Sequence, residues 1–300
     1  MSFMTAQWIF LCVATILLPA NRAAGEFQAM AEKFRITDPA IIEASGMAVS
    51  CDNPNFLWIV NDSGAAPEIH LVQTDGESRG KLRILDAENR DWEDLNSFKL
   101  DGKSYLLVAD VGDNAAKRET YTLYILQEPS LPAAGKLLDS TLRSSWQIQF
   151  RYEDGPRDCE SVAVDVSDGK IILLSKRTLP PAVYELPLRK PKKDTILTAK
   201  KVGQTAVKAP AVRAIPFCNQ PTSLDISSDS SFATVVTYYS VFLFSKSSKQ
   251  SWAQAFAQNP IILQPHGLAQ AESVAISEDG KTIYTISEGK NSPLKSYHRK

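Results

Sequence analysis

Five times along this chain a short apolar stretch opens on acidic, amide or hydroxyl residues. The openings are Glu43-Ala44-Ser45-Gly46-Met47-Ala48-Val49, Asp91-Trp92-Glu93-Asp94-Leu95, Asp158-Cys159-Glu160-Ser161-Val162-Ala163-Val164, Gln220-Pro221-Thr222-Ser223-Leu224-Asp225-Ile226 and Gln270-Ala271-Glu272-Ser273-Val274-Ala275-Ile276. Each leads into a second apolar run that ends in a polar residue. A recurring unit of this size signals a repeat architecture, because no unit can bury its apolar faces alone and neighbours must stack. The repeat also bears on function. A closed ring of such units would gather the five polar openings at one place.

Helical periodicity is nearly absent after the N-terminal segment. Short runs of Val, Ile, Leu, Tyr and Phe are bounded by Gly, Asp, Asn, Ser and Pro, the pattern of strands and turns in an all-β protein. Each unit parses into four strands. The first has Gly46–Ser50, Leu57–Val60, Glu68–Gln73 and Lys81–Leu85. The second has Asp94–Leu100, Tyr105–Asp110, Thr122–Leu126 and Trp146–Tyr152. The third has Ser161–Asp165, Ile171–Ser175, Val183–Leu186 and Leu197–Val202. The fourth has Ser223–Ser227, Phe232–Thr237, Val241–Ser245 and Pro260–Gln264. The fifth has only Ser273–Ser277, Thr282–Ser287 and Pro293–Tyr297, and the extended segment Lys33–Thr37 is expected to supply its missing strand. Asp-Gly at Asp168-Gly169 and Asp279-Gly280 marks tight hairpins between first and second strands. The expectation is a single β-propeller of five four-stranded blades, its last blade closed by the N-terminal strand, since closure protects sheet edges. Six blades is the alternative, because Thr205–Phe217 is long enough to hold poorly marked strands.

The N-terminus reads differently. Trp8–Ala20 is an apolar run too short for a membrane span, which takes about 20 residues. It suits a signal peptide over residues 1–25, with Ala23-Ala24-Gly25 supplying small residues before Glu26. The segment before Trp8 has no Lys or Arg, which leaves an uncleaved anchor as the alternative. The expected protein is therefore exported, periplasmic or extracellular, with a propeller domain over residues 26–300, no integral span after cleavage, and a monomeric state. The formal net charge is −1, and there is no basic face or stripe that a nucleic-acid partner would need. Once Cys12 is removed, Cys51, Cys159 and Cys218 remain, an odd number. A Cys159–Cys218 disulfide and small buried thiols are both open readings.

In a four-stranded blade the first strand lines the channel and the second runs antiparallel to it, so the start of one and the end of the other share a rim. Aligned on their apolar cores, the units carry two polar positions in strand one, two residues apart and so on one face. The upstream position holds Glu43, Asp91, Asp158, Gln220 and Gln270. The downstream one holds Ser45, Glu93, Glu160, Thr222 and Glu272. The end of strand two holds Asp62 after Asn61, then Asp110, Lys176 before Arg177, Tyr238 and Glu288. Carboxylates crowded at one mouth cannot all ionise without raised pKa values, pairing with Lys176 and Arg177, or a bound cation. Oxygen ligands without His or Cys suit a hard ion, Ca2+ ahead of Mg2+, with zinc disfavoured. Asp110-Val111-Gly112-Asp113-Asn114 adds oxygen ligands on a turn. The candidate metal ligands are Glu43, Asn61, Asp62, Asp91, Glu93, Asp110, Asp113, Asn114, Glu160, Glu272 and Glu288. The opposing reading is that strand-end acids merely cap turns.

Other motifs carry less. Gly76-Glu77-Ser78-Arg79-Gly80 fits G-x-S-x-G but lies in an expected surface turn with no helix after it. The histidines are His70, His266 and His298, none with an acidic partner evident from spacing, which argues against a Ser-His-Asp triad. Asn61-Asp62-Ser63 is a glycosylation sequon inside the expected mouth.

Taken together, Asn61-Asp62-Ser63-Gly64, Asp91-Trp92-Glu93-Asp94, Asp110-Val111-Gly112-Asp113-Asn114 with Arg118, Glu128-Pro129, and Tyr152 to Glu160 resemble a family of exported bacterial propeller proteins of unassigned function. That family is distantly similar to phytase-like and gluconolactonase-like propellers. The resemblance implies a channel that holds calcium or another divalent cation on acidic and amide side chains, with Glu43, Asn61, Asp62, Glu93, Asp110, Asp113, Asn114, Glu160 and Glu272 as the matching positions. The fourth unit departs from the pattern at Thr222 and Tyr238. Two functions are expected: a cation-binding pocket that takes a small ligand, an anionic one among the options, or a metal-dependent hydrolase of phosphate esters or lactones. In the second, Glu93, Glu160 or Glu272 would act as general base while Lys176 and Arg177 hold an anionic substrate.

Overall fold

A computed structural model describes residues 27–192, 195–209, 215 and 217–300. The expected signal segment, residues 1–25, lies outside the described residues, as do residues 210–214 and 216 of the stretch considered for a sixth blade. The remaining residues of that stretch, 205–209, 215 and 217, carry no strand.

The chain is all-β. Near the N-terminus come β1 (Phe27–Ala29) and β2 (Phe34–Arg35), followed by β3 (Ala44–Val49), β4 (Phe56–Asn61), β5 (Glu68–Gln73) and β6 (Ser78–Ile84). Next are β7 (Trp92–Leu100), β8 (Lys103–Asp110), β9 (Tyr121–Gln127), β10 (Leu138–Leu142) and β11 (Trp146–Tyr152). β12 (Cys159–Asp165), β13 (Lys170–Ser175), β14 (Ala182–Pro187) and β15 (Ile196–Gln204) precede β16 (Ser223–Ile226), β17 (Phe232–Val236) and β18 (Val241–Ser245). The short helix α1 (Trp252–Phe256), started by a Ser251/Gln254 capping box, leads to β19 (Ile261–Ile262), β20 (Ala271–Ile276), β21 (Thr282–Ser287) and β22 (Pro293–Arg299).

These strands form four sheets. β3 to β6 pair in sequence, and β16 to β19 do the same. The largest sheet has the order β12-β13-β14-β15-β11-β9-β8-β7. It is two antiparallel four-stranded halves joined where β11 and β15 pair in parallel, Gln149 opposite Ile196 to Tyr152 opposite Ala199. Its end strands β7 and β12 lie beside one another, so the sheet is nearly closed and barrel-like. In the fourth sheet β22 receives β2 at Leu294 and Pro293, within the expected Lys33–Thr37 segment, and β1 at Arg299, His298 and Tyr297. Parallel pairing of β10 on β6 is a feature the sequence pattern does not announce. Gly80, at φ 105°, lets it happen, because a Cβ there would strike the Leu138 backbone.

The first strands of the five sequence units neighbour one another in turn: β3 beside β7, β7 beside β12, β12 beside β16, β16 beside β20 and β20 beside β3. Five apolar clusters fill the spaces between successive units, for instance Trp58 and Leu95 between the first and second, and Met47 and Ile286 between the fifth and first. Polar links run between the same strands. Ser45 Oγ donates to Trp92 O (2.7 Å), Thr222 Oγ1 to Ala271 O (2.6 Å) and Ser273 Oγ to Ala44 O (3.4 Å). Asp94, fully buried, accepts from Val162 N (2.8 Å) on β12, and from Leu224 N (3.1 Å) and Ser223 Oγ (2.9 Å) on β16. Gly46 is small for a reason: a Cβ there would lie 2.5 Å from Leu95 N and 2.6 Å from Asp94 C.

Cys51, Cys159 and Cys218 are free, so the Cys159–Cys218 bridge does not form. Cys159 is buried and its thiol donates to Leu174 O (3.3 Å).

Candidate functional site

The same irregularity recurs at the start of four first strands. β3–β4 pairing runs from Ala44↔Asn61 to Gly46↔Val60, and β7–β8 from Trp92↔Asp110 to Asp94↔Ala109. β12–β13 runs from Cys159↔Ser175 to Ser161↔Leu174, and β20–β21 from Ala271↔Ser287 to Ser273↔Ile286. The extra residue each time is Ser45, Glu93, Glu160 or Glu272. A bulge breaks strict alternation and re-aims the side chain. These residues therefore reach the strand ends through a bulge, and not through the simple two-residue spacing read from the sequence.

The bulges bring acids together. Asp62, Asp91 and Glu93 offer carboxylate oxygens within 4.8 Å of one another, and so do Glu93, Asp158 and Glu160. Glu93, 4% exposed, belongs to both groups. Lys176 Nζ pairs with Glu160 Oε2 and stands 5.4 Å above the Tyr238 ring. Arg177 Nε pairs with Asp158 Oδ2 (2.6 Å), and its guanidinium also donates to Asn114 Oδ1. Around the same end Tyr238 OH donates to Glu272 Oε1, and Gln270 Nε2 to Glu288 Oε2 (2.9 Å).

Main-chain bonds fix which residue of strand two meets each opening. Asp62 N donates to Glu43 O (2.8 Å), Lys176 N to Asp158 O (2.9 Å) and Glu288 N to Gln270 O (3.0 Å). In the second unit the equivalent donor is Gly112 N, to Asp91 O (3.1 Å). Asp110 therefore falls short of the site, and Gly112 occupies its expected place. A Cβ on Gly112 would lie well inside contact distance of Asp91 Oδ2 and Glu93 Oε1.

Several expected ligands are committed elsewhere. Asp110 pairs with Arg118 (2.8 Å), both buried. Asp113 accepts from Lys117 N (2.9 Å), Arg118 N (2.7 Å) and Tyr121 OH (2.9 Å), the turn-capping role. Burial works against its charge, but these donors outweigh it and hold its pKa below the ordinary value. Asn61 accepts from Ile42 N and Glu43 N (3.1 Å each) and donates to Ala40 O (2.9 Å), so it pins the chain before β3. Glu43 is exposed at the rim. Lys176 is 4% exposed and turned inward, so it neutralises Glu160 in place of gripping a substrate.

Crowding shows in the titration of the acids. Burial, then Asp62, pushes Asp91 up to about 7. Burial, then Glu160, pushes Glu93 well above the carboxylate range. Burial lifts Glu160 to about 8 even though Lys176 pulls it down. Burial, then Glu272, takes Glu288 to about 8, and Asp62 is raised by burial in the same way. Lys176 is held above its usual value: burial opposes its charge, and Glu160, Glu272 and Glu93 outweigh that.

A cavity of about 380 Å³ opens beside the first group, lined by Ser63, Arg90, Asp91, Gly112, Asn114 and Arg118. Asp158, at the same upstream position as Asp91, joins the acids beyond the ligands expected from the sequence. Gly112 and Asp94, which shape and brace the site, carry no local signal in the sequence. Elsewhere, Ser78 lies in β6 and donates to Asp38 (2.8 Å), while His70 Nδ1 lies 3.5 Å from the same carboxylate. His70 thus has an acidic partner the spacing hid, but the acid sits between Ser and His, which is no triad. His70 and Ser78 pull Asp38 down to about 2.

Compared with known proteins, the chain matches no family model and no curated protein.

Proposed function

We propose that this chain is an exported five-bladed β-propeller whose acidic mouth binds a divalent cation, Ca2+, on Asp62, Asp91 and Glu93, beside a pocket for a small anionic ligand. The propeller reading is supported by five first strands that neighbour one another in turn, five apolar interfaces between units, and the recurring bulge. It is also supported by β22 receiving N-terminal strands, which is how a ring closes its last blade.

One observation carries the cation. Of the two acidic groups, Glu93–Asp158–Glu160 already has Lys176 and Arg177 as counter-ions. Among the described residues no Lys or Arg forms an ion pair with Asp62 or Asp91. Two carboxylates with no ion-pair partner, Asp62 and Asp91, set beside Glu93 favour either protonation or a hard cation. Gly112 keeps the space against them open. The neighbouring cavity adds Arg90, Arg118 and Asn114, so an anion there would meet both the cation and guanidinium groups. No helix among the described residues is long and apolar enough to cross a membrane.

A metal-dependent hydrolase of phosphate esters or lactones is the second reading. What favours it is Glu160, pushed up to about 8 by burial while paired with Lys176 and grouped with Glu93, a set able to hold or move a proton. The cation would polarise the ester or lactone oxygen. Binding anions then falls to Arg90 and Arg177, since Lys176 is buried.

The test is melting in EDTA against melting in Ca2+. A ligand at a hundredfold excess over Kd adds about 2.7 kcal/mol, which is a rise of about 5 °C or more for a domain of this size. The rise should vanish in Glu93→Gln. No rise in the wild type would remove the cation. If the rise is present, turnover of p-nitrophenyl phosphate or a lactone that falls in Glu160→Gln decides for the hydrolase.

A further inference from the structure

The first strands begin at the acidic end and finish at a second opening on the opposite side. A cavity of about 330 Å³ lies there, within the range of small-molecule sites. Its lining repeats. Three residues beyond Gly46, Asp94, Ser161, Ser223 and Ser273 stand Val49, Ser97, Val164, Ile226 and Ile276, which gives an aliphatic wall interrupted once.

The polar atoms of this cavity are nearly all acceptors. Ser97 donates its proton to Val49 O, Ser228 to Glu278 O and Ser230 to Asp165 Oδ1, while Ser227 and Ser277 donate to aspartates of their own turns. Their hydroxyl protons are thus spent within the protein, and Ser227 and Ser277 also accept main-chain N–H groups of their turns. Lys99, the one cation of the lining, is taken up by Glu278 at the rim, Nζ to Oε1 3.3 Å. Asp225 is different. Its carboxylate accepts Ile226 N (2.8 Å) and Ile276 N (2.7 Å), and among the described residues no Lys, Arg or His forms an ion pair with it. Burial pushes Asp225 up to about 7. Above that pH an anionic group set in an aliphatic wall, with no counter-ion, is complementary to a cation with an apolar body.

We infer that this second opening binds a small organic ammonium compound, its charged nitrogen on the Asp225 carboxylate and its hydrocarbon against Val49, Val164, Ile226 and Ile276. The acidic mouth takes no part in it. A hard metal ion is not favoured here, since a single carboxylate among aliphatic side chains offers too few oxygens. A neutral sugar would leave Asp225 uncompensated.

The probes are hexylammonium and its neutral counterpart 1-hexanol, titrated calorimetrically into the protein, with methyl glucoside as the sugar probe. Hexylammonium should bind about tenfold more tightly than hexanol, the margin of one charge-assisted contact. Val166→Trp places a ring at a rim position that is 37% exposed, where it need not disturb the core, and should abolish binding. Asp225→Asn should collapse the preference for the ammonium. Equal binding of hexanol, tighter binding of methyl glucoside, no binding by hexylammonium, or ammonium binding untouched by Val166→Trp would each overturn the inference. The last of these would place the ammonium at the acidic end.

Discussion

Replacing Asp94 probes the packing on which the candidate site rests. Its Oδ2 accepts Val162 N (2.8 Å) and Leu224 N (3.1 Å), and its Oδ1 accepts Ser223 Oγ (2.9 Å) and Leu95 N (3.0 Å). β7, β12 and β16 therefore converge on one carboxylate in a fully buried position. Asp94→Ala leaves three main-chain N–H groups without that acceptor. Each buried orphan costs about 1–3 kcal/mol, reduced where the serine re-aims or a water enters. The summed loss is about 3–6 kcal/mol, a large share of the ~5–15 kcal/mol by which a domain is stable. Asp94→Asn keeps one acceptor oxygen and turns an N–H2 toward existing donors, so it should cost about 1–2 kcal/mol. Urea denaturation followed by tryptophan fluorescence measures both, through the midpoint at unchanged m. An Asp94→Ala protein within about 1 kcal/mol of wild type would refute the convergence of the three strands on this side chain.

Three further outcomes are expected. Gly112→Ala should lower Ca2+ affinity by more than about tenfold (~1.4 kcal/mol) with a small change in Tm, because the added methyl displaces the flexible ends of Asp91 and Glu93 and no main chain; calorimetric titration checks it. Lys176→Met strands Glu160 and should cost about 3 kcal/mol above pH 8 but much less at pH 5, where Glu160 is protonated; melts across pH resolve the difference. In EDTA the wild-type protein should lose stability as pH rises from about 5 through 8, because Asp91 (about 7), Glu160 and Glu288 (about 8 each) hold protons in the native state that the unfolded chain has already released. Ca2+ affinity should rise over the same interval, since the cation competes with those protons, and flat profiles in both would contradict the burial of these acids.

Much of the strand plan was legible because each strand is an apolar run closed by turn residues. Tyr105–Asp110 and Thr282–Ser287 needed nothing else. The parallel strand β10 and the joint between β11 and β15 were not legible, since parallel pairing leaves no mark on the strand itself and depends on what a loop meets in space. At the site, the openings pointed to Asp91, Glu93 and Glu160 because acids at matched positions of a repeat end up together. The bulge that aims them has no sequence signature, so these residues meet through a geometry that the two-residue spacing does not describe. Asp110 and Asp113 look like ligands in a string of oxygen-bearing residues. Whether such a group faces outward or is spent on Arg118 and Tyr121 is decided by tertiary contacts alone. Gly112 reads as an ordinary turn glycine until the carboxylates beside it are seen.

Terbium luminescence is the most direct measurement of the central proposal, because Trp92 sits between Asp91 and Glu93 in the chain and can sensitise an ion held by them. Excited through tryptophan, the wild-type protein should give Tb3+ emission that Ca2+ displaces. Glu93→Gln and Asp62→Asn should each weaken it more than about tenfold. Absence of sensitised emission, or emission equal in wild type and both variants, would contradict a cation at the Asp62–Asp91–Glu93 group.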